Sequence, residues 1–177
     1  MSYITNETVA FTGSKIKVVS CHMDFGNDVH RVYERIDFDT KTGVSVLPIE
    51  SNGVILLKHY QLGLDAETWT LPTGGLELND DPKQRACWEL EEEAGYTSNT
   101  IELMLRTHQL PGYIGSDPGY IFMATNLQPK TRQGDEPFPI TVAHFSWDEL
   151  FAMIKSNEII DSRTLLSLLY YDRIFRR

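Results

Sequence analysis

Strand-and-turn patterning over the first seventy residues narrows the fold of this chain more than any other feature. From Lys15 to Phe25 and again from His30 to Phe38, β-branched and aromatic residues alternate with polar ones, and Gly26-Asn27-Asp28 stands between the two runs. A period of two sends successive side chains to opposite faces of a strand, and glycine with Asn or Asp supplies a tight turn, so an antiparallel hairpin is predicted. Val44 to Ile49 and Val54 to Tyr60 are shorter apolar runs separated by Glu50-Ser51-Asn52-Gly53, which predicts a second hairpin. Hairpins in this number point to a mixed-sheet sandwich rather than a doubly wound parallel fold.

The first helix is expected to begin at Asp81, an N-cap residue followed by Pro82 at the first helical position and by Gln84 in a capping-box-like arrangement. Gly95 can take the left-handed conformation that ends a helix, so the helix is expected to stop there. Further strands are predicted at Ile101 to Leu110, Tyr120 to Asn126 and Thr141 to Ser146. Helices are predicted at Trp147 to Ser156 and Asp161 to Phe175, with Asp148 and Asp161 near their starts. The expected class is α+β (mixed α/β).

A chain of 177 residues with 41% hydrophobic content is the size of one ordinary domain with a real core. Its 16 Lys and Arg against 25 Asp and Glu give a formal charge of -9, which argues against a long nucleic-acid track. An anionic substrate then needs local help, and a metal ion bound among carboxylates supplies it. Cys21 and Cys87 fall in no ligand-like spacing, which suits a reducing compartment. No apolar run approaches the roughly 20 residues of a membrane span, and Met1 to Ala10 is polar rather than signal-like. A cytoplasmic protein that does not enter membranes is expected. There is no GxSxG, and His22, His30, His59, His108 and His144 show no paired spacing, so serine, cysteine and zinc hydrolases are disfavoured.

On a wheel of about 100° per residue, Ala86, Cys87, Leu90 and Ala94 make an apolar stripe. Glu89, Glu92 and Glu93 share one arc beside it, and Glu91 points elsewhere. Like charges three or four residues apart repel by a few tenths of a kcal/mol per pair, and acids in a last turn oppose the helix dipole. Such a cluster calls for an offsetting cation. Hard oxygen ligands suit Mg²⁺ or Mn²⁺, and Leu71-Pro72-Thr73-Gly74-Gly75-Leu76 just upstream brings adjacent glycines whose backbone can approach closely.

Read together, Gly74, five residues, Asp80, seven residues, then Trp88-Glu89-Leu90-Glu91-Glu92-Glu93-Ala94-Gly95-Tyr96 resembles the Nudix box, whose pattern is Gly, five residues, Glu, seven residues, Arg-Glu-apolar-any-Glu-Glu-any-Gly-apolar. Asp80 stands where that family has Glu, and Trp88 where it has an Arg that holds a catalytic Glu. Tryptophan cannot make those charge-assisted bonds. Arg85, which the wheel places at roughly 260°, between Glu92 and Glu89, is expected to supply the missing cation.

The likeness runs from about Lys15 to Phe175 and leans toward the ADP-ribose pyrophosphatase branch, especially NudE-type ADP compounds hydrolases. Val32-Tyr33-Glu34-Arg35, Leu71-Pro72-Thr73-Gly74, Gly134-Asp135-Glu136-Pro137 and Asp161-Ser162-Arg163-Thr164-Leu165-Leu166 carry it, as does Pro111, sixteen residues after Gly95. The resemblance implies a Nudix α/β/α sandwich with an N-terminal antiparallel hairpin or sheet. Residues 1–40 would be a dimerisation element, 41–177 the hydrolase domain, and the assembly a homodimer.

By the same analogy, the carbonyl of Thr73 or Gly74 would join Glu89, Glu92 and Glu93 around Mg²⁺ or Mn²⁺. Asp135 or Glu136 would orient water, and Tyr33, Arg35, Tyr60 and Tyr113 are candidates to bind a small nucleotide substrate. The implied reaction splits a pyrophosphate linkage in a nucleoside diphosphate compound, ADP-ribose or a related ADP compound being favoured. Lys58-His59-Tyr60-Gln61 lacks the Arg that many ADP-ribose hydrolases carry at the Gln61 position, so a nucleotide sugar of the GDP-mannose type, a dinucleoside polyphosphate or NADH stays open. A catalytically weak nucleotide-binding Nudix module is the rival from another class.

Overall fold

The computed structural model describes residues 2–40, 42–108, 111–115, 117–134 and 136–176. In chain order the elements are β1 (Ile4–Thr12), β2 (Ile16–Asp24), β3 (His30–Phe38), β4 (Gly43–Glu50), β5 (Gly53–Gln61), β6 (Ala66–Thr70), β7 (Thr73–Gly75) and α1 (Pro82–Glu89). A π-helical segment (Leu90–Ala94) continues α1, followed by β8 (Tyr96–Thr97), β9 (Thr100–Thr107), β10 (Ile114–Gly115), β11 (Gly119–Thr125), β12 (Gln128–Pro129), β13 (Thr141–Ser146), α2 (Trp147–Lys155) and α3 (Ser162–Ile174). They fall into two compact units, residues 1–42 with 107–119, and residues 43–106 with 120–177.

The first unit is a four-stranded sheet in the order β1-β2-β3-β10. The expected hairpin is β2 with β3, antiparallel from Ile16↔Phe38 to Asp24↔His30, and Asn27 and Asp28 take positive φ in its turn. Strand β1 was not foreseen. Its register against β2 slips between Ile4 and Asn6 and again between Val9 and Phe11, and each bulge shifts the period of two that would announce a strand. Every residue of β1 is exposed, so no burial pattern marks it either.

The second unit is built on a seven-stranded mixed sheet, β13-β5-β4-β11-β9, with β6 pairing β5 and β7 pairing β4. The predicted hairpin of β4 and β5 is antiparallel, while β11 runs parallel to β4 from Tyr120↔Val44 to Ala124↔Pro48. Both faces of the central strands are covered, which explains why β4 and β5 read as continuous apolar runs. Val44, Val46, Ile55 and Leu57 pack with Ala86, Leu90 and Ala94 of the first helix. Leu47, Ile49, Val54 and Leu56 pack on the opposite face with Trp147, Leu150, Met153 and Leu168 of α2 and α3. Helices on two sides of a mixed sheet give the α/β/α sandwich.

The late elements follow their sequence signals closely. Ser146 caps α2 in a reciprocal capping box with Glu149, and Asp161 caps α3 by accepting from the Thr164 amide. Strand β9 ends at Thr107, short of the predicted Leu110, which with Gln109 lies outside the described residues. Among the described residues no helix is long and apolar enough to cross a membrane.

Candidate active site

The site is organised by α1 and the π-helical turn that extends it. Asp81 accepts from the amides of Lys83 and Gln84, and Gly95 closes the segment at φ 76°. A π turn carries more residues per turn than an α-helix and recurs at functional sites, so a wheel drawn at 100° misplaces the residues after Glu89. Even so, Glu89, Glu92 and Glu93 meet in one cleft, which Gly134, Glu136, Phe138 and Ile140 also line. Glu91 turns away, accepting bonds from Lys130 Nζ at 2.8 Å and the Thr97 hydroxyl at 2.9 Å. Burial opposes its charge, yet those two donors hold its carboxyl below the usual carboxylate range.

Each of the other three acids has its own partner. Glu93 is buried, and its Oε2 accepts from the Thr73 amide at 2.7 Å. Burial pushes its carboxyl up to about 8, aided by Glu89, Glu136 and Glu92, against that one amide bond. Glu89 is also buried and is raised to about 6, chiefly by desolvation, with Arg85 acting in the opposite direction and Glu92 in the same one. Glu92 is less buried, and its Oε1 lies 2.8 Å from Nε of Arg132.

Arg85 stands where the wheel pointed, with Nε 2.7 Å from Oε1 of Glu89. The N–H is not aimed along that line, however, and both buried atoms are left without a hydrogen bond. Glu89 Oε1 therefore has a cation at ion-pair distance and lacks a well-aligned donor. Gly74 forms the opposite wall, since a Cβ there would overlap the Glu89 carboxylate. Thr73 and Gly74 are held by β7 in register with Ser45 and Val44, which fixes their backbone beside Glu93 and Glu89.

Among the described residues no three His, Cys, Asp or Glu side chains are already gathered closely enough to hold an ion, and Arg85 and Arg132 are paired with two of the acids. The donor set nevertheless fits a hard dication. It offers three carboxylates lining one cleft, of which Glu93 has no cation paired with it among the described residues, and a glycine that keeps the backbone close.

The remaining predicted residues separate. Glu136 lines the cleft, whereas Asp135 lies outside the described residues. Asp80 accepts from the Glu77 amide at 3.0 Å and so closes a turn before the helix. Tyr60 donates to Asp65 at 2.9 Å, and its ring centroid is 5.2 Å from that of Phe138 in the cleft wall. Tyr33, Arg35 and Tyr113 belong to the first unit. There Arg35 is gripped by Asp37, at 2.7 and 3.0 Å, and by Glu7 at 2.8 Å.

Sequence reading missed Arg132 and Phe138. Arg132 had a signal, as a cation in Lys130-Thr131-Arg132 within an acidic chain that must balance three adjacent glutamates. Phe138 had none.

Fold and cleft together define an α+β protein with a carboxylate-lined cleft. More particularly, the NUDIX domain pattern matches residues 39–166, and the chain belongs to the Nudix family. Nudix hydrolases generally need divalent metal ions. The chain is similar to the ADP compounds hydrolase NudE of Escherichia coli (strain K12), 26% identical over 162 residues that span 92% of this chain and 86% of that protein. It is also similar to the ADP-ribose pyrophosphatase of Bacillus subtilis (strain 168), 27% identical over 72% of this chain and 70% of the relative. A methanol dehydrogenase activator from Bacillus methanolicus is 28% identical over the same shares. A crystal structure of an ADP compounds hydrolase matches with a TM-score of 0.88 at 23% identity, covering 98% of this chain and 93% of the other, a likeness of fold.

Proposed function

We propose that this protein hydrolyses the pyrophosphate linkage of an ADP-X compound, ADP-ribose being the favoured example, with Mg²⁺ or Mn²⁺ held by Glu89, Glu92, Glu93 and a backbone carbonyl of Thr73 or Gly74. The observation that carries this reading is the cluster of Glu89, Glu92 and Glu93 in one cleft, with the Glu89 carboxylate packed against the backbone of Gly74. The names of the relatives, an ADP compounds hydrolase and an ADP-ribose pyrophosphatase, support the substrate class.

Mg²⁺ or Mn²⁺ held by Glu89, Glu92 and Glu93 would screen the diphosphate and lower the pKa of water. Glu136, which lines the cleft, or its neighbour Asp135 accepts the proton of the attacking water. The water oxygen bonds to one phosphorus as the bridging P–O bond breaks, and the leaving phosphate keeps that bond's electron pair. Two phosphomonoesters result, AMP and ribose 5-phosphate from ADP-ribose. Arg85 supplies a positive charge beside Glu89.

The protein is read as a cytoplasmic homodimer in which residues 1–40 take part. The free thiols of Cys21 and Cys87 and the exposed Val9, Phe11, Val32 and Tyr33 of the first sheet support this reading. The test is a panel of ADP-ribose, NADH, diadenosine triphosphate and GDP-mannose with Mg²⁺ or Mn²⁺, products separated by chromatography. AMP released from ADP-ribose by the native chain and not by Glu93→Gln is expected. Turnover that survives Glu93→Gln, or a panel left uncut, would remove the proposal.

A further inference from the structure

Trp88 breaks the box pattern, and its ring is not idle. The guanidinium carbon of Arg132 sits 4.6 Å from the Trp88 ring centroid, while Nε of the same side chain lies 2.8 Å from Oε1 of Glu92. Trp88 and Glu92 are four residues apart along the helical segment, so a flat π face and a carboxylate edge form one seat. A planar guanidinium can use both at once, which a compact ammonium cannot.

The main chain reaching this seat is fastened as well. The Lys130 amide donates to the Gly95 carbonyl at 2.9 Å and the Arg132 amide to the Glu91 carbonyl at 3.2 Å, which are acceptors near the end of the helical segment. Lys130 Nζ adds its bond to Glu91. Two residues beyond Arg132, Gly134 runs alongside the helical segment, where a Cβ would meet Cβ of Glu92 at 3.6 Å, an ordinary van der Waals contact. The same loop then delivers Glu136 to the cleft.

We propose that Arg132, seated on Trp88, is the positioning residue for Glu92, its cation being supplied by the loop that carries Glu136 instead of by position 88 of the helix. The inference rests on the cleft being a metal-dependent hydrolytic site. Arg132 pins Glu92 through Oε1, and its amide bond to the Glu91 carbonyl anchors the start of the Glu136 loop. The side chain of Arg132 is 43% exposed, and a pair that open adds little to folding stability. A purely structural role therefore predicts a nearly silent variant, and a positioning role predicts a kinetic one.

The experiment uses the full chain and reads kcat, KM, Mn²⁺ affinity by calorimetry, and thermal melting for Arg132→Ala, Arg132→Lys, Trp88→Arg and the Arg132→Ala/Trp88→Arg double variant. Arg132→Ala should lower kcat about tenfold with KM within about twofold. It should also bind Mn²⁺ about threefold more tightly, because a positive charge beside a ligand has gone; a damaged fold would weaken both properties. Arg132→Lys should recover part of the loss. In the double variant, an arginine one turn before Glu92 can reach it, and kcat should return to within about threefold of native. Native kcat and native Mn²⁺ affinity in Arg132→Ala would overturn the proposal, as would a double variant no better than Arg132→Ala. Should Arg132→Ala melt early, Arg132→Lys decides, and native behaviour there overturns it. Persisting turnover in Glu93→Gln would instead overturn the hydrolytic reading beneath it.

Discussion

The carboxylate of Glu89 fills the space that a side chain on Gly74 would need. Glycine is required there by close approach, since Gly74 is not among the residues with positive φ. Gly74→Ala should force the Glu89 carboxylate off its position, with an overpacking cost of about 1–3 kcal/mol. The expected outcome is a lower melting temperature together with at least a tenfold loss of Mn²⁺ affinity. Calorimetry and a thermal melt check both, and an alanine variant with native metal affinity would show that Glu89 has room to move.

Glu93 makes the stability of the metal-free protein depend on pH. Its carboxyl rises from an ordinary 4.5 to about 8 in the folded state, because burial and the neighbouring Glu89, Glu136 and Glu92 outweigh the Thr73 amide. The folded protein therefore holds the proton more tightly than the unfolded chain. The contribution is fully present below about 4.5 and is lost as pH rises toward 8. Melting temperature without metal should fall across that window, Glu93→Gln should flatten the fall, and added Mg²⁺ or Mn²⁺ should restore stability at the upper end. A native protein whose melting is unchanged across this range would count against an uncompensated acid at position 93.

Much of this was legible in the sequence, for identifiable reasons. Helices α2 and α3 carry a helical spacing of apolar residues, with Asp148 in the first turn of one and Asp161 capping the other, whereas the Ser146 cap of α2 was not foreseen. The apolar runs of β4 and β5 announced strands, but not that β11 would pair in parallel with β4, because pairing direction leaves no trace in a strand's composition. Arg85 could be found from helical geometry because it precedes the π turn. Arg132 and Phe138 could not be placed by helical geometry, since they come from a loop more than thirty residues away in sequence where no local period constrains position; for Arg132 only its charge in an acidic chain gave a signal.

Arg35 is held so fully by its own sheet that its first role is structural. Asp37 binds it through both oxygens and Glu7 through one, and a Cβ on Gly115 would overlap Asp37 and Arg35. Those bonds, with Asp37 foremost, raise the Arg35 guanidinium above its ordinary value. Truncation leaves two acids without their cation, although Glu7 is 43% exposed and screening reduces the cost to about 1 kcal/mol. Arg35→Ala should lower the melting temperature by several degrees, and Arg35→Lys should recover only part, lacking the two-pronged geometry. A destabilised variant with native KM would assign Arg35 to the sheet alone; a raised KM in a variant of native stability would assign it to substrate.

Phe138 offers the cleft an aromatic face. It borders Glu89, Glu92 and Glu93, is 46% exposed, and is backed by the Tyr60 ring, which the bond to Asp65 holds in place. Stacking of a nucleobase on such a face is worth about 1–3 kcal/mol, and it is present before the phosphate reacts as well as during reaction. Binding of that uniform kind sets KM and leaves kcat alone. Phe138→Ala should therefore raise KM for ADP-ribose about tenfold with kcat within about twofold, while Phe138→Tyr stays near native. Tyr60→Phe, which keeps the ring and loses the bond to Asp65, should fall between them, because the backing ring is then free to tilt. Steady-state kinetics on the three variants make the comparison, and a Phe138→Ala enzyme with native KM would place the base elsewhere.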